Sequence, residues 1–256
     1  MPQDRPARSA RAGPGAPAEN LAPSRLPPRI LDPRQVPVAG QDGHLPGIPP
    51  ERLSAAALRE RFAAARPFTP EMPGDGRPFF AERAPSAAAV LVPLVQRPGG
   101  LAVLLTRRTD HLRDHAGQIS FPGGRSEPGD ASAAETALRE TEEEVGLARR
   151  HVEVVGELPL YTTVTSYAVT PVVALVQPPF ELALDSFEVA EAFEVPLSFL
   201  MTPAHHHRHV LSFEGGQRQF FSMPWHGHAA DGQAREYLIW GATAAMLRYL
   251  YRYLAG

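Results

Sequence analysis

The sequence predicts one mixed α/β domain behind an N-terminal tail, and three observations carry that prediction. Apolar runs of strand length stand on both sides of one strongly marked helix at 132–146. A second amphipathic helix closes the chain, with Trp240, Ala244, Leu247, Tyr251 and Leu254 on one face. Twelve of the first fifty residues are proline, which argues against an amphipathic helix there. Strands flanking a helix, followed by another helix, make the pattern of a packed α/β layer structure.

Residues 1–48 are rich in Pro, Ala and Arg and are expected to form a disordered tail. Residues 49–85 are expected to hold a helix and a linker. Leu53, Ala57, Leu58 and Phe62 recur at helical spacing within 51–65, and a Pro/Gly-rich loop follows. The main domain is expected to span 86–256. It starts with two apolar runs around Pro98-Gly99-Gly100, which is a hairpin signal. Residues 109–130 lack periodic apolar residues and read as loop.

In the helix that follows, Ser132 is the N-cap and Glu135 sits at N3 of a capping box. Gly146 stands where a helix takes its left-handed residue. Strands are expected at 152–156, at 169–176 (almost wholly apolar, hence central) and at 188–195. Residues 210–213 and 219–222 flank Gly215-Gly216 as a further hairpin.

Composition excludes several function classes. The 256 residues carry a net charge of −3, so no global basic field argues for nucleic acid. With no cysteine, disulfides, thiolate metal sites and a cysteine nucleophile are excluded. Every basic side chain is arginine, a bias expected of a GC-rich bacterial genome. No apolar run approaches the ~20 residues of a membrane span, and no apolar block follows the first arginines as a signal peptide would require.

The helix carries its chemistry in RETEEEVG at 139–146, with four glutamates in five positions. On a helical wheel Glu143 and Glu144 fall on either side of Glu140, while Ala134, Leu138, Thr141 and Val145 form the core-facing stripe. Glu142 and Glu135 lie on a third, solvated side. Two carboxylates at roughly 4 Å repel by about 4 kcal/mol at an effective dielectric near ~20. A divalent cation removes that cost, and carboxylate oxygens are what Mg²⁺ prefers. The alternative is a surface helix laced by ion pairs, Arg139 to Glu143 among them.

The flanking residues decide between these. Gly123, Gly124, Arg139, Glu140, Glu143, Glu144, Gly146 and Leu147 together resemble the Nudix box, G-x5-E-x7-R-E-U-x-E-E-x-G-U with U apolar. Thr141 replaces the first U. Counted back from Arg139, the Gly and Glu positions fall on Arg125 and Ala131, so Gly124 and Asp130 are each displaced by one residue. Just upstream, LLTRRTDHLRDHAGQISFPGG at 104–124 resembles the signature of the coenzyme A diphosphatase branch. Leu104, Leu105, Thr106, Arg108, Arg113, Gly117 and the run FPGG match it, with Thr109 in place of Ser or Ala.

The resemblance implies a Nudix α/β/α sandwich with a mixed sheet, and hydrolysis of coenzyme A or a derivative at its diphosphate. Glu140, Glu143 and Glu144 would hold Mg²⁺ or Mn²⁺, with Arg139 positioning a glutamate on the same helix. Arg108 and Arg113 would offer bidentate donors to phosphate oxygens. Gly117, Gly123 and Gly124 would let backbone approach the ligand. His115 and Gln118 would orient a pantetheine or nucleotide group.

A general base is expected among Glu157, Glu188, Glu191 and Glu194. Tyr161, Thr163, Ser166 and Tyr167 are candidate substrate contacts. The His-rich run 205–209 reads as adventitious surface histidines. The partner is expected to be a small molecule, with neither nucleic acid nor membrane, in the cytoplasm, and a homodimer is left open. Another nucleotide diphosphate, such as ADP-ribose or NADH, and a ligand-sensing domain without turnover are the competing readings.

Overall fold

The computed structural model describes residues 28–75, 84–112, 115–214, 216–229 and 232–256. Its centre is the pair of strands that the sequence marks most strongly. β2 (Ser86–Arg97) turns at Pro98-Gly99 into β3 (Gly100–Arg108), antiparallel as the hairpin signal requires. β2 also runs parallel to β8 (Tyr167–Val176) along ten paired residues. Alternate residues of a strand point to opposite faces. Val92 and Leu94 of β2, with Val173 and Leu175 of β8, enter the main core, whereas Ala89, Leu91, Val172 and Ala174 enter a second cluster on the other face. Both faces are therefore covered, which explains the nearly continuous apolar runs.

The remaining strands extend this eight-stranded mixed sheet. β4 (Ile119–Ser120) and β9 (Val189–Pro196) pair with β3, and β5 (Gly123–Arg125) pairs with β2. β6 (Val152–Glu157) and β7 (Tyr161–Thr162) pair with β8. On one face lies α2 (Ala133–Val145), packing Ala133, Ala134, Ala137 and Leu138 against the small-residue surface of β2 and β8. Ser132 Oγ accepts from the Glu135 N–H, and Gly146 ends the helix at φ 69°. Both caps are as the sequence predicts.

Against the other face pack α1 (Ala55–Ala63) and α4 (Gly241–Ala255), which bury Leu58, Phe62, Leu247, Leu250 and Leu254 in the main core. A short helix, α3 (Leu197–Leu200), follows β9. A four-stranded antiparallel sheet in the order β1 (Val38–Gln41), β10 (His207–Phe213), β11 (Gly216–His228), β12 (Ala234–Trp240) completes the fold. No helix among the described residues is long and apolar enough to cross a membrane.

Two expectations are corrected. Residues 28–48, expected as part of a disordered tail over 1–48, are packed: Ile30 and Val36 lie against Phe220, and β1 pairs with β10. Proline suits these positions because an edge strand and its 3-10 turn do not need every N–H. Residues 1–27 lie outside the described residues. The histidine run is not a surface tract either. It enters β10, where period-two alternation buries His209, and His206 just before the strand is buried as well. His209 Nδ1 lies 2.8 Å from the Val36 carbonyl and Nε2 lies 2.8 Å from Ser222 Oγ. His206 Nε2 lies 2.7 Å from the Leu200 carbonyl.

Burial, and then the adjacent Arg248 guanidinium, push the His206 imidazole down to about 4, although the Leu200 carbonyl favours its charged form. The unfolded imidazole titrates near ~6.5, so between these values the unfolded chain binds the extra proton. Stability is therefore complete above about pH 6.5 and is lost as pH falls towards about 4, by roughly 3 kcal/mol in all. Urea unfolding at pH 7, 6 and 5 should show this slope, and His206→Gln should flatten it. An unchanged slope in the variant would assign it to other groups.

Candidate functional site

The site forms where α2 crosses β5, and two glycines permit the crossing. Gly123 has φ 151°, and a Cβ there would sit 2.4 Å from the Ala89 carbonyl oxygen. A Cβ on Gly124 would sit 2.5 Å from the carboxyl carbon of Glu140. Only bare backbone lets the helix bring its carboxylates this close to the strand. The Gly123 N–H then donates to Glu144 Oε2 at 3.2 Å.

The three glutamates expected on one face are divided by this contact. Glu144 is 8 % exposed, and Glu140 is half-buried behind Gly124. Glu143 remains exposed and accepts from Arg139 Nη1 at 3.1 Å. The buried edge of α2 thus includes Glu144 beside Thr141 and Val145. Burial is the main cause that pushes the Glu144 carboxyl up to about 7; the charges of Glu188 and Glu140 add to it, while the Gly123 N–H and Arg108 oppose it. Burial likewise raises Glu140, against the pull of Arg139. Glu142 and Glu135 lie on the solvent side, as expected, and share Arg149.

Arg139 is anchored before it touches a glutamate. Its Nε and Nη2 donate to the two oxygens of Asp130 at 3.1 and 3.0 Å, and Nη2 also donates to the Arg125 carbonyl. This fork–fork pair leaves Nη1 to hold Glu140 at 3.0 Å and Glu143 at 3.1 Å. Asp130 also accepts from the Glu127 N–H and the Thr136 hydroxyl; the Arg139 guanidinium first, and then these bonds, hold its carboxyl well below the usual range. The one-residue displacement in the loop thus still delivers a carboxylate to the arginine.

Among the described residues no three His, Asp or Glu side chains converge as a ready-made metal cluster. The donor chemistry nevertheless fits a divalent cation. Two half- to fully buried carboxylates repel each other, and a cation would remove that penalty. Glu140 and Glu144 supply this pair, and the exposed Glu143 shares Arg139 Nη1 with Glu140.

Beside the carboxylates opens a cavity of about 450 Å³, within the usual size range of ligand pockets. Arg108, His115, Gln118 and Gly123 line it. Arg108 reaches from β3 to within 3.9 Å of Glu144 and 3.6 Å of Glu188. His115 Nδ1 lies 2.9 Å from Gln118 Oε1, so the two present one joined polar edge. Gly117 sits in the preceding turn with φ 67°. Arg113 lies outside the described residues. Thr163 lines the cavity together with Val164 and Thr165, while Tyr161 is buried and the Tyr167 hydroxyl accepts from Arg125.

Of the four candidate bases, Glu191 is locked by Arg235 and the Tyr237 hydroxyl, and Glu194 pairs with Arg97. Glu157 is exposed on β6. Glu188 is the one whose charge acts on both Glu140 and Glu144. Sequence reasoning passed over Arg29, Ile30, Asp75, Arg218 and Met246, which also line the cavity. None of them belongs to a motif, and only the fold brings them together.

A family model for the NUDIX domain matches residues 85–212, half of the chain. The chain belongs to the Nudix family. It is 40 % identical over 163 residues to a protein of Escherichia coli K12 described as an uncharacterized Nudix hydrolase, NudL, covering 64 % of this chain and 80 % of that one. The NudL protein of Shigella boydii serotype 18 is similar to the same extent. Among solved structures, the Nudix hydrolase RenU of M. smegmatis is 24 % identical at a TM-score of 0.38, covering 44 % of this chain and 71 % of that chain. An overlap that small adds nothing to the family assignment. The matched Nudix segment contains α2, β5 and Arg108, but not the walls of the cavity that come from residues 29–75 and 218–246.

Proposed function

We propose that this Nudix-family hydrolase cleaves the diphosphate of coenzyme A or one of its derivatives. The products would be 3′,5′-ADP and 4′-phosphopantetheine or its acyl form. The observation that carries this reading is the joint placement of the two motifs. The 104–124 signature puts Arg108, His115, Gln118 and Gly123 around one cavity, and Gly123 itself bonds Glu144 of the box helix.

Glu140 and Glu144, joined by Glu143, would hold Mg²⁺ or Mn²⁺. When bound, the cation neutralises charge on the diphosphate and lowers the pKa of the attacking water. The chain's own groups do the rest. Arg108 faces the phosphate oxygens with a guanidinium that Glu144 and Glu188 hold in place. Arg139, fixed by Asp130, sets the carboxylate of Glu140. Glu188, whose charge acts on both Glu140 and Glu144, would take the proton of the water as its oxygen attacks phosphorus and the P–O–P bond breaks. Arg113 belongs to the same reading through the motif, as do Gly117 and Gly124. The proposal includes a cytoplasmic location and a small-molecule substrate, with a homodimer as an assembly that sedimentation would decide.

The test is chromatography of products from CoA, acetyl-CoA, ADP-ribose and NADH, each with Mg²⁺ and with Mn²⁺. The expected result is 3′,5′-ADP from the CoA species, formed faster than any other product. Cleavage of ADP-ribose or NADH alone would keep the box helix and overturn the reading of 104–124. Binding of CoA without product would move the protein to a sensing role.

A further inference from the structure

We propose that the 450 Å³ cavity receives the neutral, amide-bearing arm of the substrate beyond the diphosphate, and that Ile30, Ala242 and Met246 decide which arms fit. This rests on the diphosphatase reading above. One end of the cavity is the reaction site, because Arg108 and Gly123 belong to both. Apolar side chains make much of the cavity wall: Ile30, Val90, Phe121, Val169, Ala242 and Met246.

Of the arginines that line the cavity, Arg29, Arg108 and Arg218, the last is 9 % exposed, and its Nη2 lies 2.7 Å from Asp75 Oδ2. A phosphate brought to Arg218 would meet the Asp75 carboxylate as well, so the pair favours a neutral guest. Asp75 is also the positioning residue of this wall. Its Oδ1 accepts from the Val164 N–H at 2.9 Å, which fixes the loop carrying Thr163 and Thr165. Those hydroxyls lie 3.0 Å apart; Thr163 is also engaged by the Tyr167 backbone, and Thr165 keeps capacity to bond an amide. An extended chain with apolar methylenes and a few amides matches this lining.

The selecting residues lie outside the matched family segment, since Ile30 precedes residue 85 and Ala242 and Met246 follow residue 212. The Nudix segment thus grips the diphosphate end and builds part of the arm's wall, and the flanks add the selecting side chains.

Trp240 also lines the cavity and is one of two tryptophans. In a Trp225→Phe protein it becomes the sole reporter. Metal-free titration with pantetheine should change its emission saturably, and 3′,5′-ADP should not. Ala242→Phe, which fills the cavity, should weaken the pantetheine response about tenfold. The same variant should lower the ratio of kcat/KM for CoA over ADP-ribose about tenfold. Ile30→Ala, which opens the wall, should shift that ratio too and covers the case of a misfolded Ala242 variant. A flat pantetheine titration, or a response to 3′,5′-ADP instead, overturns the proposal. If the wild type cuts neither CoA nor ADP-ribose, the diphosphatase reading falls, and the pantetheine titration still decides this one.

Discussion

Glu144→Gln should fold at least as well as the wild type and lose about a hundredfold or more in kcat, roughly 3 kcal/mol of transition-state stabilisation. The two halves of this result have one cause. Burial already disfavours the charged carboxylate, which is why Glu144 is pushed up to about 7. A glutamine keeps the shape and still accepts from the Gly123 N–H, so the folded state gives up only the 3.9 Å pairing with Arg108 and sheds a buried charge. It cannot supply the negative charge that holds a divalent cation. Glu143→Gln, in which the residue changed is exposed and bonded to Arg139, should cost less than Glu144→Gln. Steady-state kinetics beside urea unfolding of both variants measures this. Full activity in a folded Glu144→Gln protein would remove Glu144 from the metal site.

Arg248→Met should destabilise the fold by about 3–5 kcal/mol, a fall of roughly 10 °C in Tm for a chain of this size. Arg248 lies on α4 and is 2 % exposed. Its Nη2 lies 2.8 Å from Asp42 and 3.1 Å from Glu71, and its Nη1 lies 3.0 Å from His206. Arg208 joins at 2.8 Å from Asp42, and Arg252 also pairs with Glu71. The arginines hold the Asp42 and Glu71 carboxyls below the usual range, although burial alone would raise both. Removing Arg248 leaves two carboxylates with less compensation than their burial demands. Because the groups share partners, Arg248→Met with Asp42→Asn should cost less than the sum of the single changes. A loss below about 1 kcal/mol for the single variant would mean that Arg208 and Arg252 suffice.

Asp42 and Glu71 lie in segments that the sequence assigned to tail and linker. Period and composition describe a residue's neighbours in the chain, and residues 28–48 have a disordered composition by that measure. Their order comes from partners far away: Val36 against Phe220, β1 against β10, and Asp42 against Arg248. Likewise the histidine run reads as surface because no local pattern shows that β10 is covered on one face.

The sequence by itself determined the elements whose signals are local. The helix with its Ser132 and Gly146 caps, the hairpin at Pro98-Gly99, the central apolar strands and the arginine–glutamate motif depend on residues a few positions apart. Tertiary structure alone decided what Glu144 meets. On the wheel Glu144 lies next to the core-facing stripe and Glu143 on the far side of Glu140, which ranks their burial without naming a partner for Glu144. The crossing of α2 over Gly123 and Gly124 gives Glu144 the Gly123 N–H and leaves Glu143 to Arg139 and solvent. It also decided that Ile30, Asp75, Arg218 and Met246 share one cavity, because closing loops of that length is a property of the whole packed chain and leaves no mark on any single stretch.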